Sequence, residues 1–283
     1  PSSSARNDSA ARATPKPRRI LLLFVDGLGL PDQPLAESIY RDCPTLCAIL
    51  TNHCCPLPTD MGVEGLPQSA TGQTAILTGE NAAQALGYPL SGFPNRQLRE
   101  ILTEKSVFHK LRQRGRMCTF ANAYVHRPGV RMPAHLRSAT TVATLAAFGE
   151  TRHTDAMLEG KAVYHDITRA TLKSPDTGAD IAPITEDQAA TELMAVLRDV
   201  DFCLFEYFLT DVVGHRGNRE EKLTVLASLD RFLKALTEKR QQDELLMLVS
   251  DHGNIEDETT RLHSMNHAPL ITIGPGAEWV RNR

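Results

Sequence analysis

The sequence predicts an α/β protein, a three-layer sandwich around a mostly parallel sheet with a small inserted cap. Three observations predict it. Short, continuous apolar runs recur along the 283 residues, as expected of strands covered on both faces. Runs with helical spacing alternate with them, and such alternation argues for a parallel sheet flanked by helices. The length suits one core domain carrying an insertion, and a hydrophobic share of 41% with 23% charged residues is ordinary for a globular chain.

The elements follow in order. Residues 1–18 are mostly Ser, Ala, Arg, Lys and Pro, with no large apolar side chain. They bury too little surface to offset ordering entropy, so a disordered tail is expected there and a folded domain over 19–283. A strand spans 19–25, continuously apolar from Ile20 to Val25. A loop with Pro31 and Pro34 follows, then a helix near 45–52. Residues 68–79 read as a helix capped by Ser69. Ser106 caps another that runs to Arg114 and ends at Gly115, and 117–123 reads as the next strand. From 126 to 184 short apolar pieces alternate with Pro, Thr and basic residues, which marks the insertion or cap. Periodicity resumes with a helix at 186–198, a buried strand at 201–208, a helix at 219–240 and strands at 244–249 and 269–273.

Bulk properties exclude several classes. A formal net charge of -3 gives no reason to expect nucleic acid or an anionic membrane as partner. No apolar run approaches the roughly 18 residues of a spanning helix. A cytoplasmic protein is expected; the chain begins at Pro1 without an initiating Met, which leaves room for a removed signal peptide. Its six cysteines do not make a disulfide scaffold. Cys43, Cys47, Cys54 and Cys55 cluster with His53, but their spacing matches no standard zinc pattern, so free thiols are expected.

The chemistry concentrates in four short stretches. Asp26 follows the first strand, Asp211 and His215 follow the strand at 201–208, Asp251 and His252 follow the strand at 244–249, and His263 precedes the last strand. Ligands in open α/β sheets gather beyond the carboxyl ends of strands, so three distant strands would deliver carboxylates to one edge. Asp211 and His215 are four apart, about 6 Å along one helical face. With His263 they form a set that suits zinc, manganese or iron. Adjacent Asp251 and His252 diverge, so they can face a second ion or bridge the pair. Alone, an Asp after a strand is usually a cap and a lone His usually structural. Together the six suit two divalent ions, Mn or Zn, a combination that moves phosphoryl groups. Ser69, at a helix start where free N–H groups favour an anion, is the candidate nucleophile, with Thr71 as runner-up.

Asp26-Gly-Leu-Gly29, Gln68-Ser-Ala-Thr-Gly-Gln73, Thr210-Asp-Val-Val-Gly-His215, Ser250-Asp-His-Gly-Asn254 and His263-Ser-Met-Asn-His-Ala-Pro269 occur in this order. The order resembles the alkaline phosphatase superfamily, in particular its metalloenzyme branch with cofactor-independent phosphoglycerate mutase and phosphopentomutase. The resemblance implies an alkaline phosphatase-like fold. It implies one metal on Asp211, His215 and His263, another on Asp26, Ser69, Asp251 and His252, and phosphorylation of Ser69. It further implies a small phosphorylated substrate. The sequence departs from the mutases where Gln73 replaces a histidine, and its insertion is smaller than their second domain. A sulfatase is not expected, because Cys43 is followed directly by Pro44 and the Cys-x-Pro-x-Arg motif is absent. The insertion holds His126, Arg127, Arg131, His135, Arg137 and Arg152. Arginine suits phosphate geometry, so Arg127 and Arg131 are the candidate substrate-binding pair. The expected activity is a two-metal phosphoesterase, with a phosphomutase and a non-catalytic metal-binding module as alternatives.

Overall fold

The computed structural model describes residues 16–125, 132–173 and 181–282. Most of the expected tail, and Arg127 and Arg131, lie outside the described residues. The central sheet has six strands in the order β2-β8-β7-β1-β6-β3. Strand β1 (Arg19–Val25) lies between β6 (Phe202–Tyr207) and β7 (Glu244–Val249), parallel to both, and β3 (Cys118–Phe120) extends the parallel set from β6. The sheet is mixed beyond β7. There β8 (Ala268–Ile273) runs antiparallel, and β2 (Cys54–Leu57) pairs antiparallel with β8.

The period-2 geometry of a strand explains the three layers. Leu21, Leu23 and Val25 of β1 face one core while Leu22 and Phe24 face another. The first core is covered by α1 (Pro44–His53), α8 (Glu186–Arg198) and α10 (Arg219–Lys239). The second is covered by α2 (Ser69–Thr78), α4 (Arg96–Lys105), α5 (Val107–Gln113) and α6 (Ala139–Phe148), while α3 (Ala82–Leu86) joins a small satellite cluster with Leu98 of α4. Each fully buried Leu or Phe contributes roughly 1.5–3 kcal/mol. Among the described residues no helix is long and apolar enough to cross a membrane.

Several expectations need correction. Ser69 does not cap α2: Gln68 occupies the N-cap with an extended backbone, and Ser69 is the first helical residue. The strand expected over 117–123 breaks in two. Asn122 uses its side-chain amide to bond the Glu206 backbone, donating to its carbonyl at 2.7 Å and accepting from its N–H at 2.8 Å. This imitation of strand pairing ends β3, and β4 (Asn122–Ala123) pairs instead with β5 (Val163–Tyr164) in a separate small sheet. Within 126–184, α6 packs into the second core as a member of that layer. The remainder there includes β5 and α7 (Thr154–Leu158). The cysteines are free, and burial pushes the Cys43 thiol up to about 12 and Cys54 to about 11. Among the described residues they form no group able to hold a metal.

Candidate metal centre

Three strand ends and the loop before β8 build the centre. Asp26 leaves β1 and is 7% exposed. Gly27 follows with φ +70, a conformation that costs any residue with a Cβ, and a Cβ there would lie 2.9 Å from the Asp211 Cα. The β1 turn can therefore press against α9 (Leu209–Arg216), where Asp211 and His215 stand one helical turn apart. The Thr210 hydroxyl locks this contact by donating to the Asp26 carbonyl at 2.5 Å. Beyond β7, Ser250 accepts from the Leu28 N–H at 3.0 Å and donates to the His252 carbonyl at 3.0 Å, folding the Asp251-His252 turn beside Asp26.

Seven side chains converge. His252 Nε2 lies 3.0 Å from Ser69 Oγ, 3.4 Å from Asp26 Oδ1 and 3.4 Å from Asp251 Oδ2. Asp211 Oδ1 lies 3.3 Å from His215 Nε2 and 3.4 Å from His263 Nε2, and these two ring nitrogens are 2.9 Å apart. The rings of His252 and His263 stack at 3.6 Å, so the two groups share a border. The outer nitrogens of two rings orient them, with His263 Nδ1 2.7 Å from the Pro67 carbonyl and His215 Nδ1 2.6 Å from that of Arg261. Such outer contacts fix which nitrogen faces inward.

The residues present fit divalent cations. Asp26 Oδ1 and Asp251 Oδ2, which face His252 Nε2, are buried with no hydrogen-bond partner, an arrangement that costs free energy unless something else satisfies them. Burial, then the charges of Asp251 and Asp211, hold the Asp26 carboxyl well above the usual range. Burial and the Asp211 charge push Asp251 up to about 7. Burial and the neighbouring His263 push His252 down to about 3, which keeps its imidazole neutral. For Asp211 burial acts upward, but the His263 hydrogen bond and the surrounding imidazoles outweigh it and hold the pKa low. Ligands about 2.1 Å from a tetrahedral ion sit about 3.4 Å from one another, the spacing seen on both sides of this centre. Asp211, His252 and His263 form one potential ligand group and Asp26, Asp251 and His252 another, so His252 adjoins both.

Thr71, the alternative nucleophile, is fully buried and donates to the Gln68 carbonyl at 3.0 Å. Arg152 turns away to Thr119 at 2.9 Å, and Arg137 donates to the Met132 carbonyl. Sequence reasoning missed the supports. Glu256 accepts from the Gly29 and Asn254 N–H groups, the Ser264 hydroxyl and the Asn266 amide. A Cβ at Gly29 or at Gly253 would strike its carboxylate at 2.2 Å. Asn254 donates to Asp211 at 3.3 Å, and Gln73 donates to Asp26 at 3.0 Å. The clustering of glycine with acid and amide in Asp-His-Gly-Asn-x-Glu is the signal that could have found them. A cavity of about 510 Å³ opens beside Asp26, Ser69 and Asp211.

A family model described as the Metalloenzyme superfamily matches residues 18–282. Phosphopentomutase from Carboxydothermus hydrogenoformans is 35% identical over 63 residues, 22% of this chain and 16% of that protein. The 2,3-bisphosphoglycerate-independent phosphoglycerate mutase of Wolinella succinogenes is 31% identical over 110 residues, 37% of this chain and 22% of its own length. These alignments thus span well under a third of the relatives. The alkaline phosphatase of the Antarctic bacterium TAB5 superposes with TM-score 0.54 at 16% identity, covering 93% of each chain. The PH0037 protein of Pyrococcus horikoshii does so with TM-score 0.56 at 15% identity, over 92% of this chain and 86% of that one. The fold is alkaline phosphatase-like.

Proposed function

We propose that this chain, which belongs to the Metalloenzyme superfamily, is a two-metal phosphoesterase that hydrolyses a small phosphorylated molecule through a phosphoserine at Ser69. The observation that supports it most is the meeting of Ser69 Oγ, Asp26 Oδ1 and Asp251 Oδ2 around His252 Nε2. Asp211, His215 and His263 would hold one cation, and Asp26, Ser69, Asp251 and His252 the other. The mixture of imidazole and carboxylate suits Mn or Zn. Bound there, such ions supply Lewis acidity to phosphoryl oxygens and ease ionisation of a nearby hydroxyl. Ser69 Oγ attacks phosphorus; the bond from phosphorus to the ester oxygen breaks as the new one forms, and the alcohol leaves with the serine proton. Water then cleaves the phosphoserine, restoring the hydroxyl and releasing inorganic phosphate. Arg127 and Arg131 keep the proposed role of gripping phosphate oxygens.

The named relatives favour a second reading, a phosphomutase, in which the phosphoryl group passes to a new hydroxyl. Assaying isomerisation against phosphate release separates the two. Ser69→Ala should lower turnover by at least about a thousandfold while elemental analysis finds the metals retained. Near-normal turnover would remove Ser69 from the mechanism. A non-catalytic module would instead bind ions and never acquire phosphate on Ser69 from an activated ester.

A further inference from the structure

We propose that the cavity beside the metal centre selects phosphate esters of an alcohol bearing an organic ammonium group, recognised by the Glu206 carboxylate and an aromatic wall. The inference rests on the phosphoesterase reading and names its substrate class. The cavity that reaches Asp26, Ser69 and Asp211 is also lined by Phe93, Tyr124, Tyr164, His165, Phe208 and Glu206. Its volume lies in the range of small-molecule sites. The wall is organised: His165 stacks on Phe208 with centroids 4.7 Å apart and meets Tyr164 at 4.1 Å. Among the described residues no Lys or Arg lines this cavity.

Glu206 is the anomaly. It belongs to β6, on the face where Phe202 and Leu204 enter the second core, and is 6% exposed. A carboxylate in such a place is costly unless paired. Its Oε2 accepts from the Thr140 hydroxyl at 2.6 Å, and among the described residues it forms no ion pair. Asn122 does not explain it, because that amide bonds the Glu206 backbone and leaves the carboxylate alone. Burial pushes this carboxyl up to about 7, as befits an anion without a counter-ion. Aromatic faces attract organic cations through their quadrupoles. A carboxylate and several rings around one cavity therefore complement an ammonium, and they oppose a second anionic group on the leaving alcohol.

The full chain, loaded with Mn²⁺ or Zn²⁺, tests this with three esters. Phosphocholine carries the cation, 3,3-dimethylbutyl phosphate is its neutral isostere with carbon in place of nitrogen, and 4-nitrophenyl phosphate reports phosphoryl transfer alone. Phosphocholine should exceed the isostere in kcat/KM by about tenfold, mostly through KM. Glu206→Gln should bring that ratio toward one. Equal turnover of the isosteres by the unaltered chain, or preference for the neutral one, overturns the inference; continued turnover of 4-nitrophenyl phosphate would then leave the phosphoesterase reading standing. Failure to release phosphate from all three overturns both. The wild-type ratio does not depend on whether Glu206→Gln folds. A folded variant that keeps the ratio removes Glu206 from recognition.

Discussion

Glu206 shows how far one buried charge can shape pH dependence. Its folded pKa of about 7 is raised above the ordinary 4.5 by burial, against a hydrogen bond from Thr140 that acts downward. The fold therefore prefers the neutral acid. The stability this group contributes is complete below the unfolded value and is lost as pH rises through about 7. Glu206→Gln has no charge to lose, so in metal-free protein its stability relative to wild type should rise between about pH 4.5 and 7 and then level off. The expected gain is on the order of 2 kcal/mol, measured by urea unfolding of both proteins at pH 5 and pH 8; a pH-independent difference would reject it. At this scale the six acidic and imidazole side chains were legible, because their types and positions after apolar runs announce them. The roles of Glu256, Asn254 and Gln73 were not, since nothing in a residue's type says which distant neighbour its side chain will hold by a hydrogen bond.

Elements position the centre through close approach, and glycine makes the approach possible. A Cβ at Gly214 would fall 1.9 Å from the Asn254 Oδ1, and Asn254 donates to Asp211. Gly214→Ala should push α9 from the β7 loop, costing about 1–3 kcal/mol. It should also lower the metal content found by elemental analysis; unchanged melting temperature and metal content would refute the contact. Strand β1 was legible with its boundaries because both faces are buried, which leaves an unbroken apolar run. Strand β2 was not, because Pro56 breaks the pattern, a residue tolerated only at an edge. Helix α4 carries only brief signals, Asn95 as its cap and Leu98 and Leu102 at helical spacing. The end of β3 at Phe120 was illegible, because the Asn122 amide that replaces the ladder bonds a residue 84 positions away.

Over the whole molecule, the buried carboxylates and orphaned atoms would couple a bound cation to stability. A cation present at a hundred times its dissociation constant adds about 2.7 kcal/mol, so chelation at pH 8 should lower the melting temperature by roughly 5–10 °C. Because Asp251 must ionise to bind a cation and its pKa is pushed up to about 7, the metal-dependent increment should shrink at pH 6. A melting temperature indifferent to chelator would mean that these groups hold no ion. The sequence alone determined the α/β class, the central parallel strands and the kinds of ligand available, since period, burial and donor chemistry are local properties. Tertiary structure alone decided that β8 runs antiparallel, that His252 borders both potential ligand groups, and that the Glu206 carboxylate and an aromatic wall share the cavity beside the centre. Those facts depend on distances between residues far apart in the chain, and only packing sets them.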